Sequence, residues 1–380
     1  MTTILTVLGT RPEIIKLSPL LPRLQEVCDR ALIAHSGQHY SYEMDAQFFE
    51  ELTLPAPDYS LRAGAPGLSS GKQTAQMLIG LEAIMQEERP ELVIVQGDTN
   101  TTLAGTLSAV KLGIPVLHLE AGCRSFNRSM PEEINRVMVD HVAQLLLAPD
   151  AVAVKNLRDE GCQQHAEIYQ VGSTGLEACL RLQEAANRRP LLAEIGVKPG
   201  EYLALTMHRA ENTTAEVLPG LVKTINTLAE DYPIVFPLHP RTEGMLEKLG
   251  LELSARVIQL KPLGYLDTLR LISQSRAVLT DSGGLQEEAA ILGTPVLVLR
   301  QETEWSYLVE AGKAALLGNS YPAALEKALD CLQPARIKAM QTAIVPVPTN
   351  ITDAILEIIA QKLSAISPQL VGIRKNNVQD

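Results

Sequence analysis

This sequence predicts an α/β protein of two doubly wound, Rossmann-like domains facing each other across a cleft. Three observations predict it. Short β-branched runs alternate with helical-period segments nearly throughout the 380 residues. The runs are continuously apolar, without the period-2 alternation of a half-exposed sheet, so they read as parallel strands covered by helices on both faces. They also fall into two equal sets, and the chain is too long for one ordinary core but right for two domains of about 150–200 residues each.

Taken in order, the first set is ILTVL (4–8), ALIAH (31–35), LVIVQ (92–96), VLHLE (116–120), LLLAP (145–149) and EIYQV (167–171). A helix is expected over 71–88. The break follows VGSTG (171–175), in the polar stretch 176–201, where NRRP and KPGE carry turn chemistry. The domains are therefore expected at 1–175 and 176–349. The second set is YLALTM (202–207), IVFPL (234–238), VIQL (257–260), AVLTD (277–281), PVLVL (295–299) and AALLG (314–318), with a helix over 215–231. NITDAILEIIAQKLSAI (350–366) reads as an amphipathic helix opened by Asn350 or Thr352. The polar tail VGIRKNNVQD reads as frayed.

Composition narrows the function. Hydrophobic residues make up 46% and charged residues 20%, which is globular and leaves no room for large disordered tracts. A net charge of −11 argues against nucleic acid, so an anionic ligand needs a local basic pocket. The five cysteines, 28, 123, 162, 179 and 331, are scattered without a Cys-x-x-Cys. This argues against a disulfide framework or structural zinc and suits a reducing cytoplasm. No apolar run approaches a membrane span, and the N-terminus reads as a strand rather than a signal peptide.

In doubly wound domains ligands bind outside the carboxyl ends of the strands, and the chemically rich loops fall there. GTRPEIIK (9–16) follows the first strand. Gly9 is read as a tight turn, Pro12 as a helix start, and Arg11 and Lys16 as cations on the loop and first turn in need of an anion. QGDTNTTLAG (96–105) sets Asp98 after a strand, as a helix cap or a catalytic carboxylate. HLEAGCRSFNRSMPEEINR (118–136) puts Glu120 at a strand end and Glu132 and Glu133 in a first helical turn, with Arg136 one turn after Glu132. Asp98, Glu120 and Glu132 converging from adjacent strand ends would be acid/base equipment, since crowded carboxyls raise one another's pKa.

In the second half, TMHRAENT (206–213) places His208 and Arg209 at a strand end, with Asn212 or Thr213 capping the next helix. His239, beside Arg241 in PLHPRT, takes the corresponding place after the following strand. TDSGGLQEEA (280–289) offers the amides of Ser282, Gly283 and Gly284 to a phosphate, and Glu287 or Glu288 to ribose hydroxyls. Two motifs are decoys. GAPGLSSGKQT (64–74) lacks the Walker spacing, and the His-x-Glu at His118–Glu120 lacks the Pro-Cys-x-x-Cys that would complete a zinc site. No Gly-x-Gly-x-x-Gly is present.

Together GTRPEIIK, SGQHY (36–40), QGDTNTT, HLEAGCRS, MPEEINR, HRAEN and TDSGGLQEEA resemble the non-hydrolysing UDP-N-acetylglucosamine 2-epimerases, in family order to about residue 318. The resemblance implies the glycosyltransferase-B architecture, with the C-terminal helix, about 350–368, crossing back to the first domain. It implies C2 epimerisation of UDP-N-acetylglucosamine to UDP-N-acetylmannosamine through elimination and re-addition of UDP, without metal or cofactor. It makes Asp98, Glu120 and Glu132 the acid/base set and places His208 near the leaving diphosphate. Arg11, Lys16 and Arg136 would bind that diphosphate or hold the acids. Ser282, Gly283, Gly284 and Glu288 would contact phosphate and ribose, and His239 would join the substrate site. A cytoplasmic homodimer, with a UDP-sugar as its ligand, making polysaccharide precursors is also implied. Many family members carry an arginine where this chain has Trp305. That departure, with SFNRSMPEEINR, resembles the branch acting on UDP-2,3-diacetamido-2,3-dideoxy-glucuronic acid, while GTRPE resembles the N-acetylglucosamine branch. A glycosyltransferase of the same architecture is the more distant alternative, needing a single base and an acceptor groove.

Overall fold

A computed structural model describes residues 1–38, 48–64, 68–345 and 349–376; His39 and Tyr40 of the SGQHY motif lie outside them. The chain forms two compact units, Met1–Ala178 with Pro348–Asp380, and Cys179–Val347. Each is built on one sheet, and every strand pairing is parallel.

The first unit carries β1 (Thr3–Leu8), β2 (Arg30–His35), β3 (Tyr59–Ser60), β4 (Leu92–Gln96), β5 (Val116–Leu119), β6 (Leu145–Ala148) and β7 (Glu167–Gln170). Their order is β3-β2-β1-β4-β5-β6-β7. Six of them match the apolar runs of the sequence. The seventh, β3, is a two-residue edge strand, too short to leave a run. The central strands are buried along their whole length because helices cover both faces, and Leu5, Val7, Val93 and Val95 share one core with Met77 and Leu81 of the helix Ser70–Glu88.

The second unit carries β8 (Leu203–Thr206), β9 (Ile234–Pro237), β10 (Val257–Leu260), β11 (Ala277–Thr280), β12 (Val296–Val298) and β13 (Ala314–Leu316), ordered β10-β9-β8-β11-β12-β13. Its core joins Leu203, Leu205, Phe236 and Leu279 to Leu221 and Ile225 of the helix Leu218–Leu228. That helix starts three residues after the expected 215.

Strand order reverses between β1 and β4 and again between β8 and β11, and such a switch point opens a crevice at the carboxyl ends. Register makes the placement specific. Gln96 pairs with Leu119, so Asp98 and Glu120 leave neighbouring strand ends. Thr206 pairs with Thr280, so His208 and Ser282 emerge side by side.

The C-terminal helix runs Ile351–Asn376. It continues past the expected end into the segment read as a frayed tail. Thr352 donates from N and Oγ1 to Glu177 at 2.7 and 2.8 Å, Asp353 pairs with Arg23, and Lys362 pairs with Glu167. Among the described residues no helix is long and apolar enough to cross a membrane.

Candidate active site

The loop after β1 is organised by a residue the sequence reading passed over. Glu13 is buried, and its Oε2 accepts from Gly9 N, Thr10 N and Thr10 Oγ1 at 2.8, 2.8 and 3.0 Å. Its Oε1 accepts from Thr99 and Thr102 at 2.6 and 3.1 Å, which ties this loop to the helix Asn100–Lys111 after β4. Burial pushes the Glu13 carboxyl up, against those hydrogen bonds. Gly9 is required for a close approach rather than for a turn. A Cβ there would stand 1.8 Å from Ser36 Oγ and 2.7 Å from Thr101 Oγ1. The helix Arg11–Leu17 has only seven residues, so Lys16 falls in its last turn and not its first. Arg11 lies over the Phe48 ring at 5.3 Å.

Lys16 Nζ pairs with Glu120 Oε2, which also accepts from Gln96 Nε2 at 2.6 Å. Burial would lower the Lys16 ammonium, but the carboxylates of Glu120 and Asp98 outweigh it and hold it above its usual value. Asp98 is not the helix cap; Thr99 takes that place, accepting from Thr102 N. Asp98 Oδ2 is bound by Arg136 instead. Burial foremost, and then the Glu120 charge, push the Asp98 carboxyl up, against the pull of Arg136 and Lys16. Two of the three expected acids therefore share one electrostatic cluster with two cations. Ser173 and Thr174, beyond β7, line a pocket with Glu120, Leu119, Pro149 and Gly172. The position of VGSTG just past a strand was the available signal for them.

Glu132 departs from the expected convergence. It is exposed on the first turn of the helix Pro131–Asp140 and, among the described residues, makes no hydrogen bond or ion pair. Its neighbour Glu133 takes the buried side, accepting from Ser125 N, Ser125 Oγ and Phe126 N at 2.9, 3.0 and 2.9 Å. Arg136 accordingly pairs with Asp98 and Glu133, not with Glu132. Successive helical residues differ by about 100° in direction, so only one of two adjacent glutamates can face the loop.

In the second unit the organiser is Asp281, fully buried and also unremarked in the sequence reading. It accepts from His208 N, Arg209 N and Asn212 Nδ2 at 3.1, 3.0 and 3.1 Å. Asn212 is spent on this bond and on Leu299 O at 3.0 Å rather than on capping a helix. The His208 ring is 41% exposed, with Nδ1 3.4 Å from Asp281 and its centroid 5.6 Å from that of His239. His239 Nδ1 accepts from Arg241 N and caps the helix Pro240–Leu249. Burial first, then the charges of His208 and Arg241, lower the His239 pKa.

Ser282 precedes the helix Gly283–Ile291 and its amide donates to Thr280 Oγ1 at 3.0 Å, while Gly284 is exposed with nothing within 4 Å of an added Cβ. Gly283 accepts from Trp305 Nε1 at 2.9 Å, and its missing Cβ leaves room for Glu304 Oε1. Glu287 is buried and bonded to the Tyr307 hydroxyl, whereas Glu288, partly exposed, accepts from the Tyr265 hydroxyl at 2.9 Å. Of the two, Glu288 is the more exposed. His141, Glu160 and Cys162 form a group of potential metal ligands, but Arg124 already holds both Glu160 oxygens at 2.8 Å.

Known proteins resemble this chain over most of its length. The family model for UDP-N-acetylglucosamine 2-epimerase matches residues 25–353. The UDP-N-acetylglucosamine 2-epimerase of Methanocaldococcus jannaschii is 44% identical over 325 residues, 83% of this chain and 88% of that one. The UDP-2,3-diacetamido-2,3-dideoxy-D-glucuronate 2-epimerase of Pseudomonas aeruginosa is 42% identical over 330 residues, 86% and 91% of the two chains. The crystal structure of the M. jannaschii enzyme with UDP-GlcNAc and UDP superposes with a TM-score of 0.82 at 40% identity, covering 95% of this chain and all of the other. The two-domain, glycosyltransferase-B-like α/β fold is the one these enzymes share, and the chain belongs to the UDP-N-acetylglucosamine 2-epimerase family.

Proposed function

We propose that this protein epimerises UDP-N-acetylglucosamine at C2, giving UDP-N-acetylmannosamine. A base takes the C2 proton while the C1–O bond breaks, its electron pair leaving on the UDP diphosphate and a C1–C2 double bond forming. UDP then re-adds at C1, and a proton is delivered to C2 from the other face. The observation that carries the reading is the pairing of Asp98 and Glu120 between Lys16 and Arg136, since two carboxyls in unlike environments suit opposite proton transfers. Asp98 and Glu120 form the acid/base pair, and Lys16 and Arg136 hold them. His208 stabilises the departing diphosphate. Arg11, His239, Ser282, Gly283, Gly284 and Glu288 hold the rest of the substrate, the Gly283 and Gly284 amides with the Ser282 hydroxyl taking a phosphate and Glu288 the ribose. The first unit supplies the acids and the second the UDP contacts. In this reading the enzyme works as a cytoplasmic homodimer supplying a polysaccharide precursor.

A second substrate is favoured by particular observations. The P. aeruginosa relative, at 42% identity, stands close to the M. jannaschii one at 44%, and Trp305 departs from the arginine that the family resemblance leads one to expect there. UDP-2,3-diacetamido-2,3-dideoxy-glucuronic acid is therefore the alternative. Proton NMR in deuterated water decides between them. With UDP-N-acetylglucosamine alone the C2 proton signal should vanish and the manno product appear. Exchange only with the diacetamido-uronate reassigns the substrate and keeps the chemistry, and exchange with neither rejects the reaction.

A further inference from the structure

The His118 ring is fully buried and uses both nitrogens. Nε2 lies 2.7 Å from the carbonyl oxygen of Gly97, and Nδ1 lies 2.7 Å from Asp140 Oδ1. A carbonyl oxygen only accepts, so Nε2 carries hydrogen. Nδ1 either donates to a carboxylate or accepts from a protonated carboxyl, and the surroundings of Asp140 decide which. Its Oδ2 accepts from Gly122 N at 3.0 Å and from the Arg124 guanidinium at 2.7 Å. Burial alone would push the Asp140 carboxyl up, but His118 and Arg124 outweigh it and hold it below its usual range. Two donors on Oδ2, one of them a guanidinium, suit a carboxylate rather than a carboxyl, which makes Nδ1 the donor to Oδ1. Around the ring Asp140 and Glu160 are negative and Arg124 is positive, so a positive ring brings the cluster to neutrality. His165 Nε2 lies 3.2 Å from the Asp140 carbonyl oxygen.

We infer that His118 is a buried imidazolium and a positioning residue, fastening the turn that bears Asp98 to the helix that bears Arg136 and holding Glu120 between them. Gly97, its acceptor, directly precedes Asp98. Asp140, its other partner, ends the helix Pro131–Asp140, whose Arg136 pairs with Asp98. Glu120 itself has φ +68°, a conformation non-glycine residues seldom take. Such a backbone persists only where its surroundings over-determine it. Here His118, two residues before Glu120, and the Gly122 amide, two residues after, both bind Asp140. One carboxylate clamps the strained residue from either side.

The catalytic consequence rests on the proposed acid/base roles of Asp98 and Glu120; the protonation does not. Neutron diffraction from deuterium-exchanged wild-type crystals near neutral pH should show deuterium on both His118 nitrogens and none on Asp140. A bare nitrogen, or deuterium on Asp140, overturns the imidazolium whatever the enzyme's substrate. For positioning, His118→Asn and Asp140→Asn should each lower kcat about 100-fold, the cost of misplacing reacting groups by about 1 Å. KM should stay within about threefold, and UDP affinity by calorimetry should not change. A folded variant with wild-type kcat, or loss of UDP binding in step with kcat, overturns it. If His118→Asn does not fold, Asp140→Asn decides. A wild-type enzyme inert toward both UDP-sugars would instead refute the proposed reaction and leave the neutron result standing.

Discussion

In the proposed reaction Glu120 concentrates the chemistry of the first unit in a single oxygen, since Oε2 receives both Lys16 Nζ and Gln96 Nε2. A glutamine at 120 keeps the shape and an acceptor oxygen, but it cannot give or take a proton as a carboxyl does and has no charge to balance Lys16. Glu120→Gln should therefore lower the rate of C2 exchange by roughly two to four decades, the usual worth of a positioned acid or base. The side chain is 27% exposed, so stability should change little, and an unchanged thermal midpoint alongside the lost rate separates chemistry from folding. Near-wild-type exchange would remove Glu120 from the reaction. Asp98 differs in kind. Burial foremost, and then the Glu120 charge, push its carboxyl up, and Arg136 binds it.

Among elements, the helix Pro131–Asp140 does more than present side chains. Glu133 pins the preceding loop through two backbone amides and a hydroxyl, Asn135 donates to Asp98 O at 2.9 Å, and Asp140 closes the far end. Burial would push the Glu133 carboxyl up, but the bonds from Ser125 and Phe126 prevail and lower it. A lowered carboxyl stabilises fully above the unfolded value of about 4.3, and that stability disappears as pH falls through the folded value. Glu133→Gln should cost about 1.5–3 kcal/mol at pH 7, the worth of hydrogen bonds to a charged group. The gap from wild type should close below about pH 4. Urea unfolding at both pH values checks this, and a gap that does not depend on pH would contradict it. The same helix shows what could be read in advance. Strands were legible because buried parallel strands are unbroken apolar runs, whereas β3, with two residues, left no pattern. The loops carrying Asp98, Glu120, His208 and Ser282 were legible because strand ends at a switch point are where ligands bind. Which of Glu132 and Glu133 turns inward was not legible, because adjacency in sequence says nothing about helical phase without the packed loop. His118 was set aside for want of cysteines, since Asp140, the partner that gives it a role, lies 22 residues away.

For the whole molecule, each unit encloses its own core, and the C-terminal helix belongs to the first although the entire second unit intervenes in sequence. Ile351, Ile355, Leu356, Ile359 and Leu363 are all buried, and Thr352, Asp353 and Lys362 reach Glu177, Arg23 and Glu167 of the first unit. Each of those apolar side chains is worth about 1.5–3 kcal/mol when fully buried, and a whole domain is stable by only about 5–15 kcal/mol. Removing the helix should therefore take most of the first unit's stability while leaving the core of the second untouched. A chain ending at residue 349 should lose protection in the first unit during pulse proteolysis across a urea gradient. Protease-resistant fragments from Cys179–Val347 should keep the wild-type midpoint. Equal losses in both units would mean that they unfold as one, and no loss in the first would mean that the helix is an appendage rather than the closing element of its fold.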